Sequence, residues 1–426
     1  MINRTEKPSV NSDNSCPQIK TKSFTLNNGV PVYFIAGQKQ ELIRLELIFY
    51  AGSFYQEKNL TAVLTAKLLK EGTADISSSK ISETLDYYGV YSSFEPQKDL
   101  VSISVFVLEE FLEPVLEILE QIIKYPSFPE NELEISLKNI KQKHIVNQQK
   151  VANIARMHFG KYLFGEKHPY GKVLEMNDFE MISRNDLLYF HEKHYSPNNV
   201  FCVVSANPTD SILNSLQKHF GGMDWKNKAK VNDLKFETSD YPAPGKFFIQ
   251  KKDTIQSAVR IGKRAPGMNH PDYHKLMITN VILGGYFGSR LMKKIRQEKA
   301  YTYGINSAIV SLLQESYFFI SSQIGVDVTE NAISDIYTEI KKLRTEKVNK
   351  AELEVVSNYL SGTFLRSFDG VINQSERLKE MIFFNLDDNH FENYLNTLQS
   401  ISQKDILLTS EKYLNEIDMT ELVVGK

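Results

Sequence analysis

At 426 residues the chain is too long for one ordinary domain, so two or more units that each bury a core are expected. Lys and Arg number 50 against 52 Asp and Glu, a formal charge of −2, with both signs spread along the chain, which excludes the basic surface of a nucleic-acid binder. Two cysteines support neither a disulfide framework nor a thiolate metal site, and the longest apolar runs, such as Val200 to Ala206, are too short to span a bilayer.

The opening residues, Met1 to Pro8, are polar and lead into Ser, Asn and Asp with no apolar stretch behind them. A cytoplasmic protein is expected, or a periplasmic one if an export signal has been removed. Residues 1–21 read as a polar leader that includes Cys16. Phe24 to Ile35 then form two short apolar segments joined through Asn28-Gly29, a hairpin signature, and folding is expected to begin near residue 24. Ile43, Leu45, Leu47 and Phe49 alternate with Arg44, Glu46, Ile48 and Tyr50, the period of a strand with one well-buried face.

Leu60 to Leu69 reads as a helix closed by Glu71-Gly72-Thr73. A strand at Val101 to Val107 feeds a helix with apolar positions at Leu112, Val115, Leu116, Leu119, Ile122 and Ile123, and Pro126 and Pro129 mark its exit. Further helices pass through Asn139 and Leu187 before a buried strand at Val200 to Val204, where Cys202 reads as a small buried hydrophobe. Strands and helices in mixed order imply an α+β layered sandwich, not a barrel.

Residues 225–245 shift to Lys, Asn, Asp and Ser and end in Pro-Ala-Pro-Gly, the composition of a linker between a unit at 22–224 and one at 246–426. The two units look alike. Asp186-Leu187-Leu188, then Glu192-Lys193 and the strand from Val200 to Ser205, recur as Asp405-Ile406-Leu407, Glu411-Lys412 and Leu422 to Gly425, an offset of 219 (405 − 186). A helix capped by Asp and running into a final core strand closes each half, which points to duplication.

Three segments then combine: Gly52-Ser53 with Glu57, the helix and Glu71-Gly72-Thr73; His168-Pro169-Tyr170-Gly171; and Leu283-Gly284-Gly285-Tyr286-Phe287-Gly288-Ser289-Arg290-Leu291, continuing from Ile295-Arg296 to Tyr303. Their order and spacing resemble the insulinase (pitrilysin, mitochondrial processing peptidase) family of inverzincin metallopeptidases over nearly the whole chain after about residue 22. The resemblance implies two homologous α/β-sandwich domains, each an antiparallel-rich sheet with helices on one side, forming half of a clamshell around a peptide.

Active members of that family carry His-x-x-Glu-His on the helix before a Gly-Thr, two imidazoles one turn apart for zinc and a Glu as general base. Aligned on Gly72-Thr73, the motif falls on Val63-Leu64-Thr65-Ala66-Lys67, and the third ligand, a Glu, falls at or beside His144. Val63 and Ala66 offer no donor, and the Lys67 ammonium repels a dication. No cofactor is expected in this chain. The close pairs His191/His194 and His270/His274 read as exposed or capping histidines, with His270 near a helix N-terminus ahead of Pro271, and His168 reads as structural.

Arg296 and Tyr303 match the family's Arg/Tyr pair, which faces the zinc and binds the substrate near the scissile carbonyl. Guanidinium and phenol are both donors suited to an oxygen that becomes anionic. Read singly, Arg296 is a solvated helix charge and Tyr303 an aromatic packed into a sheet; Tyr301 is the competing tyrosine. The resemblance thus implies a non-catalytic subunit that pairs with a zinc-bearing homologous subunit, the zinc residing in that partner, and binds unfolded peptide without nucleic acid or membrane. Its alternatives are a scaffold or peptide-binding protein of the same fold, and a peptidase with a different metal site.

Overall fold

The computed structural model describes residues 15–36, 42–227 and 241–426. Its first half runs β1 (Thr21–Thr25), β2 (Pro31–Ile35), β3 (Leu42–Phe49), α1 (Thr61–Leu68), α2 (Ser78–Tyr87), β4 (Tyr91–Pro96), β5 (Val101–Leu108), α3 (Leu112–Lys124), α4 (Glu130–Asn147), α5 (Val151–Phe164), α6 (Asp178–Met181), α7 (Arg184–His194), β6 (Val200–Ser205) and α8 (Asp210–Phe220). The second runs β7 (Lys246–Gln250), β8 (Gln256–Arg264), α9 (Tyr273–Asn280), β9 (Thr302–Ser311), β10 (Ser316–Gly325), α10 (Thr329–Thr345), α11 (Lys350–Arg366), α12 (Gly370–Phe384), α13 (His390–Ser400), α14 (Gln403–Tyr413) and β11 (Thr420–Gly425).

The two sheets repeat one topology. The first has the order β1-β2-β6-β3-β5-β4 and the second β7-β11-β8-β10-β9, so removing β1 leaves the same arrangement twice. Each contains one parallel pair, β2 with β6 and β7 with β11, in an otherwise antiparallel sheet. The spacing repeats too: α4 and α11 start 220 residues apart (350 − 130), and α5 and α12 start 219 apart (370 − 151).

Both closing helices begin with a reciprocal cap, and here the structure corrects the sequence reading. The N-caps are Ser183 and Ser402; Asp186 and Asp405 sit at the third helical position and accept from the serine backbone N–H at 2.8 and 3.0 Å. Ser supplies the cap because its short hydroxyl reaches the free N–H groups of the first turn, and Asp answers from one turn on. Each Asp also holds a lysine from another element, Lys58 at 2.8 Å and Lys275 at 2.9 Å.

Each half packs its helices on one face of its sheet. Ile43, Leu45, Leu47 and Phe49 of β3 meet Leu64 of α1, Val115 and Leu119 of α3, and Leu187 of α7 in the first core; Val259, Ile261, Phe318 and Ile320 meet Ile336 and Ile340 of α10 and Ile406 of α14 in the second. The opposite faces are covered by exchange. α5 of the first half places Ile154, Ala155 and Phe159 against Ala258, Leu422 and Val424 of the second sheet. In return α12 places Leu378 against Ile35, Ile48, Phe201 and Val203 of the first. β3 is therefore buried on both faces, with Glu46 and Ile48 each 1% exposed.

Glu46 is tolerated there because it is paired. It is ion-paired with Arg44 at 2.9 Å and accepts from Lys379 of α12 at 2.8 Å and from the Ser102 hydroxyl at 3.0 Å, while Glu376 joins Arg44 and Lys379 at 2.8 Å each. Four charges of alternating sign thus close a ring between the halves, the condition under which buried ions persist.

Of the expected linker, residues 228–240 lie outside the described residues, as do residues 1–14 of the leader and residues 37–41. On its flanks Trp225 is buried, its indole N–H donating to the Tyr195 carbonyl at 3.1 Å, and the Arg264 guanidinium lies 3.5 Å from the centre of the Tyr241 ring. Strand pairing starts at Thr21, and Ile19 packs against the α12 and α13 side chains.

Candidate functional site

The helix expected to carry zinc ligands is α1, a run of small and apolar residues buried beneath the sheet on most of its circumference. Ala66 is 0% exposed and Thr65 likewise, Val63 is half-buried against the first core, and Lys67 is the exposed member. α1 packs against α4, which carries His144. That imidazole is 5% exposed, meets the Gln148 side-chain nitrogen at 2.8 Å and lies 5.7 Å from the Phe179 ring. Burial lowers its pKa, with Asp178 acting the other way. Burial first, and then the neighbouring Lys143, lowers the pKa of the Lys67 ammonium.

Between them the four positions offer one imidazole, one ammonium and two hydrocarbons. Zinc does not fit such a set, which lacks the three N, O or S donors of a catalytic site and presents an ammonium to a dication. Among the described residues no group of three or more His, Cys, Asp and Glu side chains could hold a metal ion.

The other histidine pairs resolve differently from the sequence reading. His194 is not exposed: it is 1% accessible and packed 4.3 Å from the Phe190 ring, while His191 meets the Ile123 carbonyl through Nε2 at 2.7 Å. Burial drives both imidazoles down to about 4. His270 accepts the Asp272 N–H at 3.1 Å just ahead of α9, as a residue near a helix N-terminus should. His274 instead faces His390 of α13, ring to ring at 4.7 Å, a neighbour that local spacing does not reveal. His168 is 2% exposed and stacks on Phe164 at 5.3 Å.

The second half presents a different surface. α9 continues into a π-helical turn at Val281–Gly285, the Gly-rich turn follows, and a second π-helical segment at Met292–Glu298 carries Arg296. Wide turns of this kind are uncommon and cluster at functional sites. β9, the edge strand of the second sheet, packs against both segments and brings in Tyr303. Tyr301 packs against the second core, whereas Tyr303 is 93% exposed and is not an aromatic folded into the sheet. The Arg296 guanidinium carbon lies 4.9 Å from the centre of the Phe287 ring. Among the described residues neither the Tyr303 hydroxyl nor Arg296 has a hydrogen-bond or ion-pair partner.

Residues 33–174 match the family model of insulinase (peptidase family M16), and residues 181–360 match that of the peptidase M16 inactive domain. The chain belongs to peptidase family M16. An uncharacterized zinc protease, YmxG, of Bacillus subtilis is 22% identical over 362 residues, covering 84% of this chain and 86% of that one. The non-peptidase homolog YmxG of Helicobacter pylori is 21% identical over 405 residues, 93% of this chain and 92% of its own.

The solved M16 folds agree with the architecture. A peptidase M16 inactive domain from Pseudomonas fluorescens superposes with a TM-score of 0.87 at 22% identity, covering 96% of this chain and 98% of that one. A protease from Helicobacter pylori gives 0.83 at 18% identity, with 96% and 100% covered. The M16 scaffold is thus retained around an α1 helix with no ligand set. No helix among the described residues is long and apolar enough to cross a membrane.

Proposed function

We propose that this chain is the zinc-less subunit of an M16 peptidase, pairing with a zinc-bearing homologue and using Arg296 and Tyr303 to hold the peptide carbonyl that the partner's metal attacks. What carries the reading is the contrast between the halves: α1 holds Val63, Ala66 and Lys67 where ligands belong, while Tyr303 stands 93% exposed on an edge strand beside the π-helical segment bearing Arg296. Both side chains donate hydrogen bonds, and both remain free to do so.

In this role Arg296 and Tyr303 donate to the same developing oxyanion, stabilising charge that appears only in the transition state. The free edge of β9 offers backbone N–H and C=O groups to an extended peptide, fixing its register without reading side chains. The zinc-bearing partner supplies the activated water; this chain supplies position and charge.

Purified alone, the protein is expected to hold no stoichiometric zinc and to cleave no peptide. Mixed with a zinc-bearing homologue, Arg296→Ala or Tyr303→Phe is expected to lower turnover by roughly 10²-fold while the complex stays intact. Bound zinc with chelator-sensitive cleavage by the chain alone overturns the proposal. Unchanged turnover in both variants favours the second reading, a scaffold or peptide-binding relative, which the name of the Helicobacter pylori non-peptidase homolog also supports.

A further inference from the structure

The oxyanion role accounts for Arg296 and Tyr303 but not for Phe287, a large apolar ring 66% exposed at the apex of the Gly-rich turn. Exposed rings on slack loops fold back onto nearby apolar surface. This one is held out by a braced turn. At its start, a Cβ on Gly284 would lie 2.5 Å from the Ser307 Oγ and 2.8 Å from the Ser307 backbone nitrogen, so the chain is pressed directly onto β9. At its end, Arg290 forms a two-pronged pair with Glu352 of α11, both contacts 2.8 Å. Between them the Tyr286 ring covers Gly288, where a Cβ would come within 2.7 Å of it, and meets Tyr359 of α11 at 5.1 Å.

The surroundings are apolar and accessible: Tyr359 is 44% exposed and Val355, one turn before it on α11, 55%. Arg296 lies over the Phe287 ring, which ties this surface to the carbonyl-binding pair. An extended peptide presents a carbonyl and an adjacent side chain to such a surface at once. Its carbonyl suits the two donors, and a bulky apolar side chain suits the rings. Rigid aromatic anchors of this kind dominate the energetics of recognition because little ordering remains to be done on binding.

Resting on the peptide-binding reading above, we propose that Phe287, with Tyr286 and Tyr359, forms a platform that selects an aromatic or large aliphatic side chain of the bound peptide next to the carbonyl held by Arg296 and Tyr303. The platform is a specificity-determining surface, and it takes no part in bond breaking.

The test uses the full chain and two fluorescein-labelled decapeptides that differ only in a central Phe or Ala, followed by fluorescence anisotropy. The Phe peptide is expected to bind about tenfold tighter, in the range that filling one apolar contact confers. Phe287→Ala is expected to bring the ratio close to one, and Phe287→Leu should retain part of the preference. Because the side chain is largely solvent-exposed, the variants should melt with the parent, and circular dichroism checks this. Equal binding of the two peptides by the parent, or a preference that survives Phe287→Ala, overturns the platform and leaves the peptide-binding reading standing. If neither peptide binds, both fall. If Phe287→Ala instead weakens association with the zinc-bearing homologue while the peptide preference persists, the surface is a subunit contact and the platform is refuted.

Discussion

Neutralising Glu46 should uncouple the halves. The carboxylate is 1% exposed, is ion-paired with Arg44 and Lys379 and accepts from Ser102, so Glu46→Gln keeps the shape but leaves two cations facing each other across β3 and α12 with only Glu376 between them. Removing one partner from a buried pair typically costs about 3–5 kcal/mol. Glu376 is 46% exposed and still pairs with both cations at 2.8 Å, which argues for the lower end, about 3 kcal/mol. Lys379→Met should cost less, because Arg44 remains on Glu46.

The informative quantity is the double-mutant cycle, since it isolates a contact between residues 333 positions apart. Urea unfolding of the parent, both single variants and the double variant should give a coupling of about 1–2 kcal/mol. Free energies that add within about 0.5 kcal/mol would mean that the ring contributes nothing specific and that α12 is held by Leu378 and its apolar neighbours alone.

Other outcomes follow from the packing. Leu378→Ala, at a site 7% exposed against Ile35, Ile48, Phe201 and Val203, should cost about 2–4 kcal/mol in the same urea assay, unless α12 collapses into the gap. Gly284→Ala should be destabilising by about 1–3 kcal/mol, because the new methyl meets a backbone nitrogen at 2.8 Å and that atom cannot swing away. Acid should weaken the fold before the carboxylates titrate. Burial holds His168 and His194 neutral, lowering both from 6.5 to about 4. The unfolded chain binds those protons and the folded chain does not, so this stability is fully present above pH 6.5 and lost as pH falls towards 4, to a limit of about 3 kcal/mol per imidazole. A urea midpoint unchanged between pH 7 and 5 would contradict that assignment.

How much of this the sequence reveals depends on whether the cause is local. The hairpin at Asn28-Gly29, the alternation in β3 and the apolar positions of α3 depend on near neighbours, and each element forms within a few residues of where its pattern places it. Part of the Gly-rich segment is legible for the same reason: Gly288 is required by the Tyr286 ring inside its own turn, whereas Gly284 is required by Ser307 on β9. Distant partners are not legible. The polar face of β3 suggests exposure because Lys379 and Glu376 lie on a helix of the other half, and His274 gives no hint of His390. Tyr301 and Tyr303 are two residues apart, so strand period alone would put them on the same face; Tyr301 instead lies just before β9 and packs against the second core, while Tyr303, on the strand, is exposed.

If α1 is the former zinc helix, restoring donors should restore metal. Positions 63 and 67 are one turn apart on one face, and α4, which carries position 144, packs against that helix. Val63→His, Lys67→His and His144→Glu together supply the two imidazoles and one carboxylate of an M16 site, and they also remove the ammonium that repels a dication. Ala66 should be left alone, because it is 0% exposed and a glutamate there would bury an unpaired charge. The triple variant should therefore take up one zinc per chain, measured by competition with a chromophoric chelator, yet cleave nothing for want of a general base. Uptake by the parent at the same level would show that the metal binds elsewhere. A folded triple variant that binds no zinc would show that α1 and α4 do not converge as a metal site requires, and the alignment of α1 with the zinc helix would have to be given up.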